Sequence, residues 1–289
     1  MHTAQGVSHT VRSRTGSHVI WVHYSGIAPI GDNRYAVVSD KSQEDGFFIF
    51  TLHIDTLKGK ISRIENEGFR SSGLKNRDME AIAYRPSSRT LFISGEADNE
   101  VYEYTLDGQR TGRQLEMPDC FKQAERNCGL ESLTYDTLSH RFYTTTERPL
   151  PGDSLLRIQA FADNLMPIRQ YLYRPDAPIS RKYYHGLSEL CAIGDGRLLV
   201  LERQLRVPKL KIGSKSVVRI YEVRPDGSDV LQKRLLTEIV TRANLISRRF
   251  ANYEGLCAPR PGWLLLIADS QNQYKGLLRD WFQLLQQEK

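Results

Sequence analysis

Residues 254–271, EGLCAPRPGWLLLIADSQ, decide the fold, because the chain repeats their pattern. Glu254 begins the stretch, a short apolar strand runs through a turn into a second apolar strand, and Asp269 ends it. Four other segments align with it: SGIAPIGDNRYAVVSDKS from Ser25, EAIAYRPSSRTLFISGEAD from Glu80, ESLTYDTLSHRFYTTTERP from Glu131 and SELCAIGDGRLLVLERQ from Ser188. Successive copies begin 55, 51, 57 and 66 residues apart, which is the period of a propeller blade.

Further short strands follow each copy, giving about four strands per repeat, as in a propeller blade. The sequence therefore predicts an all-β chain, a single β-propeller of five blades, with a sixth blade hidden in the long interval 188–254 as the alternative. The polar segment 1–17 is expected to be flexible, and 18–289 to form the propeller. Residues 18–23, HVIWVH, have no blade of their own and are predicted to pair with the last blade and close the ring.

Composition excludes several classes of partner. The chain has 289 residues, of which 40% are hydrophobic and 26% charged, and a net charge of +6. Its basic residues are scattered and form no stripe interleaved with aromatic residues, so nucleic acid is not expected as a partner. No apolar run approaches the roughly 20 residues of a membrane span. An anionic small molecule is the expected ligand, and a monomer the expected state.

Acidic residues recur at two positions of the repeat. Position one holds an acid in three copies, Glu80, Glu131 and Glu254. The second strand of each copy is predicted to end in an acid: Asp40, Glu96, Glu147, Glu202 and Asp269. Because equivalent positions of successive blades surround one axis, these residues are predicted to form a ring at one mouth of the central channel.

Carboxylates in close quarters cannot all ionise without a cation, since each raises the pKa of its neighbours. Calcium selects such oxygen-rich sites, and Asn252, Gln271 and Asn272 offer further carbonyl oxygens. The predicted metal ligands are Glu80, Glu131, Glu202, Glu254 and Asp269. For any one of these acids alone, a hydrogen bond to a neighbouring turn is the simpler interpretation.

Basic residues share the predicted rim. Arg148 and Arg203 are candidate catalytic residues beside Glu80, Glu131 and Glu254, because they could offset developing negative charge. Lys41, His185 and Lys275 are candidate substrate-binding residues, with solvated ion pairs as the alternative for the two lysines and a structural role as the alternative for the histidine. Cys120 and Cys128 could close a disulfide in an oxidising compartment, or stay as two thiols. Cys191 and Cys257 take a small, inward-packed position of the repeat.

The segments RDMEAIAY, GLESLTYD, HGLSEL and NYEGLCAP followed by LLLIADSQNQ resemble the phytase-like, esterase-like propeller family of bacterial proteins, from about His23 to Tyr274. The resemblance implies a propeller, a periplasmic or extracellular location, although this chain shows no signal peptide, and hydrolysis of phosphate or other esters. The signature DDPAIW of the authentic β-propeller phytases is missing.

Three functions fit the sequence. The first is a calcium-dependent hydrolase of an anionic ester at the acidic mouth. The second is a sugar lactonase that resembles the gluconolactonase propellers, which also place Ca²⁺ in an acid-lined channel. The third is a propeller that binds a ligand or partner without catalysis, since a fold does not imply a function. A GxSxG nucleophile motif, which a serine esterase would need, is not found.

Overall fold

A computed structural model describes residues 6–10, 23–55, 57–209, 213–225, 227–243, 248–269 and 281–286. Within them the chain is all-β: 21 strands form five antiparallel sheets, with a single short 3₁₀ helix at Asp119–Gln123. Each innermost strand contacts the innermost strands of the two adjacent sheets, and the last sheet contacts the first. The predicted five-bladed propeller is therefore confirmed.

The strands follow the chain around the ring. The first, β1 (Gly6–Thr10), belongs to the last blade. Blade 1 contains β2 (Tyr24–Gly31), β3 (Arg34–Ser39), β4 (Glu44–Asp55) and β5 (Lys60–Lys75). Blade 2 contains β6 (Met79–Arg85), β7 (Thr90–Gly95), β8 (Glu100–Thr105) and β9 (Arg110–Gln114). Blade 3 contains β10 (Leu130–Asp136), β11 (Arg141–Thr146), β12 (Leu156–Phe161) and β13 (Pro167–Tyr173).

Blade 4 contains β14 (Tyr184–Ala192), β15 (Leu198–Arg206), β16 (Lys215–Val223), β17 (Lys233–Ala243) and β18 (Arg248–Arg249). Blade 5 contains β19 (Asn252–Arg260), β20 (Trp263–Asp269), β21 (Trp281–Gln286) and β1. The long interval 188–254 thus holds one sheet with a fifth strand, and the alternative of a sixth blade is wrong.

The amino-terminal strand closes the ring, as predicted, but from a different segment. Strand β1 pairs antiparallel with β21, with Gly6 opposite Leu285 and Thr10 opposite Trp281. Residues 18–23 are the predicted closing segment because they have no blade of their own, whereas the backbone of β1 closes the blade. Residues 18–22 lie outside the described residues, and the boundary at residue 17 stays a prediction.

The core lies between the blades. Five clusters of buried side chains each join two neighbouring blades, the cluster between blades 5 and 1 included. In that cluster the rings of Phe50 and Phe282 meet edge to face with centroids 5.6 Å apart. A fully buried large apolar side chain contributes roughly 1.5–3 kcal/mol, so these clusters hold the ring together.

The second strand of each blade is buried on both faces, because a neighbouring blade covers each side. All seven residues of β20 are buried, and so are five of the six in β3. Their sequences are accordingly near-continuous apolar runs. The outer strands β5 and β17 are mostly exposed or half-buried. The inner strands therefore fix the geometry of the central channel.

Candidate functional site

Every innermost strand carries a β-bulge at position one of its sequence repeat. The register shifts fall between Tyr24 and Ile27, Met79 and Ile82, Leu130 and Ser132, Leu187 and Glu189, and Tyr253 and Gly255. A bulge leaves an extra residue unpaired and re-aims side chains. The bulged positions are Ser25, Glu80, Glu131, Ser188 and Glu254, and they surround the axis at the end of the channel that we call the acidic mouth.

Arg203, and not Glu202, holds the strand-end position of blade 4. In each blade, the residue just before the bulge of the innermost strand pairs with a residue of the second strand. The strand-end position is the residue that follows this paired residue on the second strand. These opposed pairs are Tyr24 and Ser39, Met79 and Gly95, Leu130 and Thr146, Leu187 and Glu202, and Tyr253 and Ala268. The next residues along are Asp40, Glu96, Glu147, Arg203 and Asp269. The predicted strand-end acid of blade 4, Glu202, is wrong by one residue. Because successive side chains of a strand lie on opposite faces, Glu202 lies on the face opposite to Arg203.

The carboxylate of Glu202 lies in a separate cluster. The hydroxyl of Tyr173 donates to it at 2.5 Å, Lys233 Nζ at 2.6 Å, and the backbone N–H of Asp176 at 2.9 Å. Only 5% of Glu202 is exposed, and these three donors satisfy it. The structure therefore does not bring Glu202 to the other predicted metal ligands.

Arg203 gathers three carboxylates at the mouth, and we call these four residues the Arg203 cluster. Its Nη1 donates to Glu254 Oε1 and, at 3.1 Å, to Asn252 Oδ1. Its Nη2 lies 3.1 Å from Glu147 Oε1 and 3.7 Å from Glu131 Oε1. The Arg203 side chain is 7% exposed. One buried guanidinium thus faces three carboxylates.

Burial governs the charge of the Arg203 cluster. It raises the pKa of Glu131 well above the usual range, and the nearby carboxylates of Glu80 and Glu147 raise it further. It also raises the pKa of Glu254 to about 8, although Arg203 opposes this. Burial alone would lower the pKa of Arg203, but Glu254, Glu147 and Glu131 raise it, so the guanidinium stays charged.

Asp40, Asp78 and Glu80 form a second group, the Asp40 cluster. One carboxylate oxygen from each lies within 4.8 Å of the others. Lys41 Nζ is 2.6 Å from Asp40 Oδ2 and 3.1 Å from Asp78 Oδ1. Asp40 Oδ1 is enclosed without a hydrogen-bond partner, and no described residue hydrogen-bonds to or ion-pairs with Glu80. Three acids therefore share one ammonium.

Burial and neighbouring like charges disfavour ionisation of the carboxylates Glu80 and Asp40 by raising their pKa. Burial raises the pKa of Glu80 well above its usual value, and Asp40 and Glu254 add to the effect. Burial also raises the pKa of Asp40, even though Lys41 lowers it. The neighbouring Glu96 has a raised pKa too, for which burial is the main cause. A group of this kind favours binding a cation.

A cavity of about 480 Å³ opens at the mouth. It is lined by Asp40, Lys41, Asp78, Glu80, Glu96, Asn127, Tyr184, Arg203 and Leu205. Its volume is that of a small-molecule site. Eight of the nine lining residues are polar, so a ligand here would be held mainly by charge and hydrogen bonds.

Tyr184 forms one wall of the cavity. Its hydroxyl donates to Glu147 Oε2, and the Arg148 guanidinium lies 4.2 Å from the centre of its ring. Gly186, two residues along β14, makes room for this contact, because a Cβ there would collide with the Glu147 side chain. Tyr184 thus joins blade 4 to blade 3 at the mouth.

The remaining predicted residues occupy different places. Asp269 Oδ1 is 3.1 Å from His23 Nδ1. Arg148 Nε donates at 3.3 Å to the backbone carbonyl of His185, and neither residue lines the cavity. Lys275, Gln271 and Asn272 lie outside the described residues.

Sequence reasoning missed Asp78, Asn127 and Tyr184. Asp78 directly precedes β6, at the repeat position where His23 and Asn252 also approach the mouth. Aligning the repeats two residues earlier could have revealed Asp78. Asn127 precedes β10 and Tyr184 begins β14, and both lie outside the aligned segments, where residue types vary from repeat to repeat.

The four cysteines are free thiols. Cys120 is half-buried, Cys128 is buried, and no disulfide joins them in this structure. Cys191 and Cys257 are buried in the cluster between blades 4 and 5, as their repeat position predicted. Burial raises the pKa of both thiols.

The fold and the acidic mouth define a five-bladed propeller with a polar ligand-sized cavity. The chain belongs to the Phytase-like family, described as "Esterase-like activity of phytase", whose profile matches residues 20–271. The resemblance read from the sequence is therefore confirmed. No curated protein sequence matches the chain.

Solved structures share the fold at low sequence identity. The catalytic domain of the GH62 α-L-arabinofuranosidase from Coprinopsis cinerea is 10% identical, with a TM-score of 0.55 over 99% of this chain and 97% of that chain. The PQQ-bound aldose sugar dehydrogenase from Streptomyces coelicolor is 11% identical, with a TM-score of 0.50 over 98% of each chain. At this identity the likeness shows the fold alone.

Among the described residues, no helix has the length and apolar character needed to cross a membrane.

Proposed function

We propose that this protein is a divalent-cation-dependent hydrolase of an anionic ester, with Ca²⁺ as the expected ion. The carrying observation is the Asp40 cluster, which offers three carboxylate oxygens within 4.8 Å of one another beside a cavity of about 480 Å³. Calcium prefers hard, flexible oxygen ligands of this kind.

The residues of the Asp40 cluster fit a cation. Asp40 Oδ1 is enclosed with no hydrogen-bond partner, and burying such an atom is costly unless something binds it. The ammonium of Lys41 already lies against Asp40 and Asp78, which supports a preference for positive charge at this position. Of the ligands predicted from sequence, only Glu80 belongs to this cluster, since Glu131 and Glu254 pair with Arg203.

A cation would make the mouth suitable for an anionic substrate. The cavity lining has four acids, Asp40, Asp78, Glu80 and Glu96, against Lys41 and Arg203, so it repels a bare anion. When bound, such an ion would polarise a substrate oxygen and offset negative charge that develops on it. Asn127 and Tyr184 on the cavity wall would orient the rest of the substrate.

A substrate panel with purified protein tests the proposal. Hydrolysis of 4-nitrophenyl phosphate, a carboxylic ester and a sugar lactone is measured after EDTA treatment and after Ca²⁺, Mg²⁺ or Zn²⁺ is added back. We expect Ca²⁺-dependent hydrolysis of an anionic ester that is lost in Glu80→Gln and kept in Glu65→Gln, a change on the outer strand β5. Turnover of the lactone alone would favour the lactonase. Cation binding without any turnover would favour a binding propeller.

The location and the oligomeric state are proposals as well. We infer a periplasmic or extracellular location, because extracellular Ca²⁺ sites work at dissociation constants of roughly 10⁻⁴–10⁻³ M, within reach of a site with few ligands. The oligomeric state that we propose is a monomer. Fractionation of the source cells and light scattering of the purified protein test these two points.

A further inference from the structure

Strand pairing in blade 4 brings basic residues that are scattered along the sequence into one row. Arg206 on β15 lies opposite Lys215 on β16, Lys215 opposite Arg242 on β17, and Arg242 opposite Arg249 on β18. Positions directly opposite each other on antiparallel strands lie on the same face of a sheet. Neighbouring strands are about 4.8 Å apart, so the four positions span roughly 14 Å. We call them the basic row, and it lies at the mouth end of the blade, three residues beyond Arg203 on β15.

Repulsion within the basic row opposes folding of the sheet, since like charges directly opposite each other on paired strands are destabilising. Four residues away along the same strands, the register places Glu202 opposite Arg219 and Arg219 opposite Glu238. There the charges alternate in sign, and Arg219 Nε lies 2.7 Å from Glu238 Oε2. The sheet thus pairs opposite charges away from the mouth and aligns like charges at the mouth end. Its stability does not account for the basic row.

No described residue neutralises the basic row. The side chains of Arg206, Lys215 and Arg242 form no ion pair or hydrogen bond within the part of the chain that the structure describes. Arg206 and Arg242 are exposed, and Lys215 is half-buried. The described segments at this end of blade 4 contain eight Lys and Arg residues and no acid, namely residues 177–188, 204–209, 213–218, 239–243 and 248–253. Because the whole chain has a net charge of +6, the remainder of the protein is net negative.

Exposed aliphatic side chains accompany the basic row. Ile179 and Val240 are 46% and 43% exposed. Strand pairing puts Val217 opposite both Gln204 and Val240, two residues from the row and on the same face. The backbone N–H of Ile179 donates at 2.7 Å to Gln204 Oε1, which brings Ile179 to that face as well. The surface therefore combines unpaired cations with exposed apolar groups.

We propose that the basic row docks this protein on the surface of a bilayer that contains anionic phospholipids. Lys and Arg side chains near such a surface are attracted to the lipid phosphates. Aliphatic side chains beside them can enter the boundary between headgroups and acyl chains. A soluble polyanion would also attract the cations, but it would offer Ile179 and Val240 no apolar environment, so these two residues favour lipid.

Docking through the basic row brings the acidic mouth close to the bilayer, because Leu205 lines the cavity and directly precedes Arg206. The docking does not depend on the proposed hydrolysis. It needs only the charges of the row and the exposed aliphatic residues beside it.

Cosedimentation of the full chain with vesicles tests the proposal. Vesicles of phosphatidylcholine alone are compared with vesicles of phosphatidylcholine mixed with phosphatidylglycerol. We expect the wild type to bind the anionic vesicles only, and less tightly as salt is added, because salt screens exposed charges. The triple variant Arg206→Gln, Lys215→Gln and Arg242→Gln should bind them about 100-fold more weakly, since each basic residue near the surface contributes roughly fivefold.

Two further variants separate the row from net charge and charge from apolar contact. The matched control, Lys58→Gln, Arg63→Gln and Lys122→Gln, neutralises three side chains elsewhere that are 69%, 70% and 58% exposed. It has the same net charge as the first triple variant and should bind anionic vesicles as the wild type does. Ile179→Ser combined with Val240→Ser keeps every charge and should weaken vesicle binding. Thermal melting confirms that each variant is folded.

Three results would overturn the proposal. Equal losses in the two triple variants would show that binding follows net charge and not the basic row. Binding of heparin or duplex DNA without binding of anionic vesicles would assign the row to a soluble polyanion, and unchanged vesicle binding in the aliphatic variant would remove the argument for lipid. Absence of binding to all of these probes would overturn the docking surface itself.

Discussion

The ammonium of Lys41 in blade 1 lies 3.1 Å from Oδ1 of Asp78 in blade 2, so a lysine bridges the carboxylates that best fit a cation. Lys41 also contacts Asp40 at 2.6 Å, and its side chain is 57% exposed. The lysine is therefore positioned to compete with a metal ion for the same oxygens, and can swing into solvent when one binds.

Replacing Lys41 by Met should tighten Ca²⁺ binding by roughly tenfold. Exposed ion pairs are worth about 1 kcal/mol or less each, and two are removed. Isothermal titration of the metal-free protein measures the change. Lys58→Met removes a comparable exposed contact, with Asp55 at 3.8 Å, and serves as the matched control. Equal affinity in wild type and Lys41→Met would show that the lysine does not compete.

Glu254 should make folding stability fall as the pH rises. Its pKa is raised from the ordinary 4.5 to about 8 in the folded chain, first by burial, so the native state binds more protons than the unfolded state between these values. The contribution of Glu254 to the free energy of unfolding is fully present below about pH 4.5 and is lost progressively as the pH rises to about 8. Urea midpoints between pH 5 and 8 should decline less steeply in Glu254→Gln than in wild type. Parallel slopes in the two proteins would refute this.

Arg203→Met should destabilise the protein by about 3–5 kcal/mol, because it leaves buried carboxylates without their counter-charge. Adding Glu147→Gln should recover part of the loss, since it removes one of those charges. Urea unfolding of the two single variants and the double variant measures the coupling. Arg206→Met, an exposed change on the same strand, is the control and should stay within about 0.5 kcal/mol of wild type. Additive effects of the two changes would contradict the pairing.

Deleting residues 1–10 should lower the Tm by roughly 5 °C or more, since about 1 kcal/mol corresponds to 2–4 °C in large domains. The deletion removes β1 and leaves the backbone groups of β21 unpaired along one edge. Calorimetry, with light scattering to detect association through this edge, measures the effect. Deleting only residues 1–5 keeps β1 and should leave the Tm near that of the wild type.

The propeller could be predicted from sequence because its signal repeats. Each blade places an apolar run at its second strand, where neighbouring blades cover both faces, and a turn before it at a nearly constant spacing. The closing strand was missed because GVSHT is polar, and its place depends on backbone pairing to a partner at the other end of the chain. Sequence patterns record which side chains are buried, and they do not record which edge a short strand completes.

The site could be predicted only in outline. The ring of acids follows from the repeat. Glu202 was predicted at the strand-end position that Arg203 occupies, because the sequence does not show the pairing register of β15. The division of the mouth into an Arg203 cluster and an Asp40 cluster depends on how far Arg203 reaches across to Glu131, Glu147 and Glu254. Such contacts between blades leave no mark in the spacing of residues.

Pairing of β1 with β21 also sets an order of events during synthesis. A ribosome releases Gly6–Thr10 long before their partner strand Trp281–Gln286. Blades 1 to 4 hold their own strands and could assemble as they emerge, whereas the fifth sheet stays incomplete until β21 has been made. The pairing of β1 with β21 therefore follows the synthesis of the first four blades, and a chain terminated before β21 would lack a closed ring.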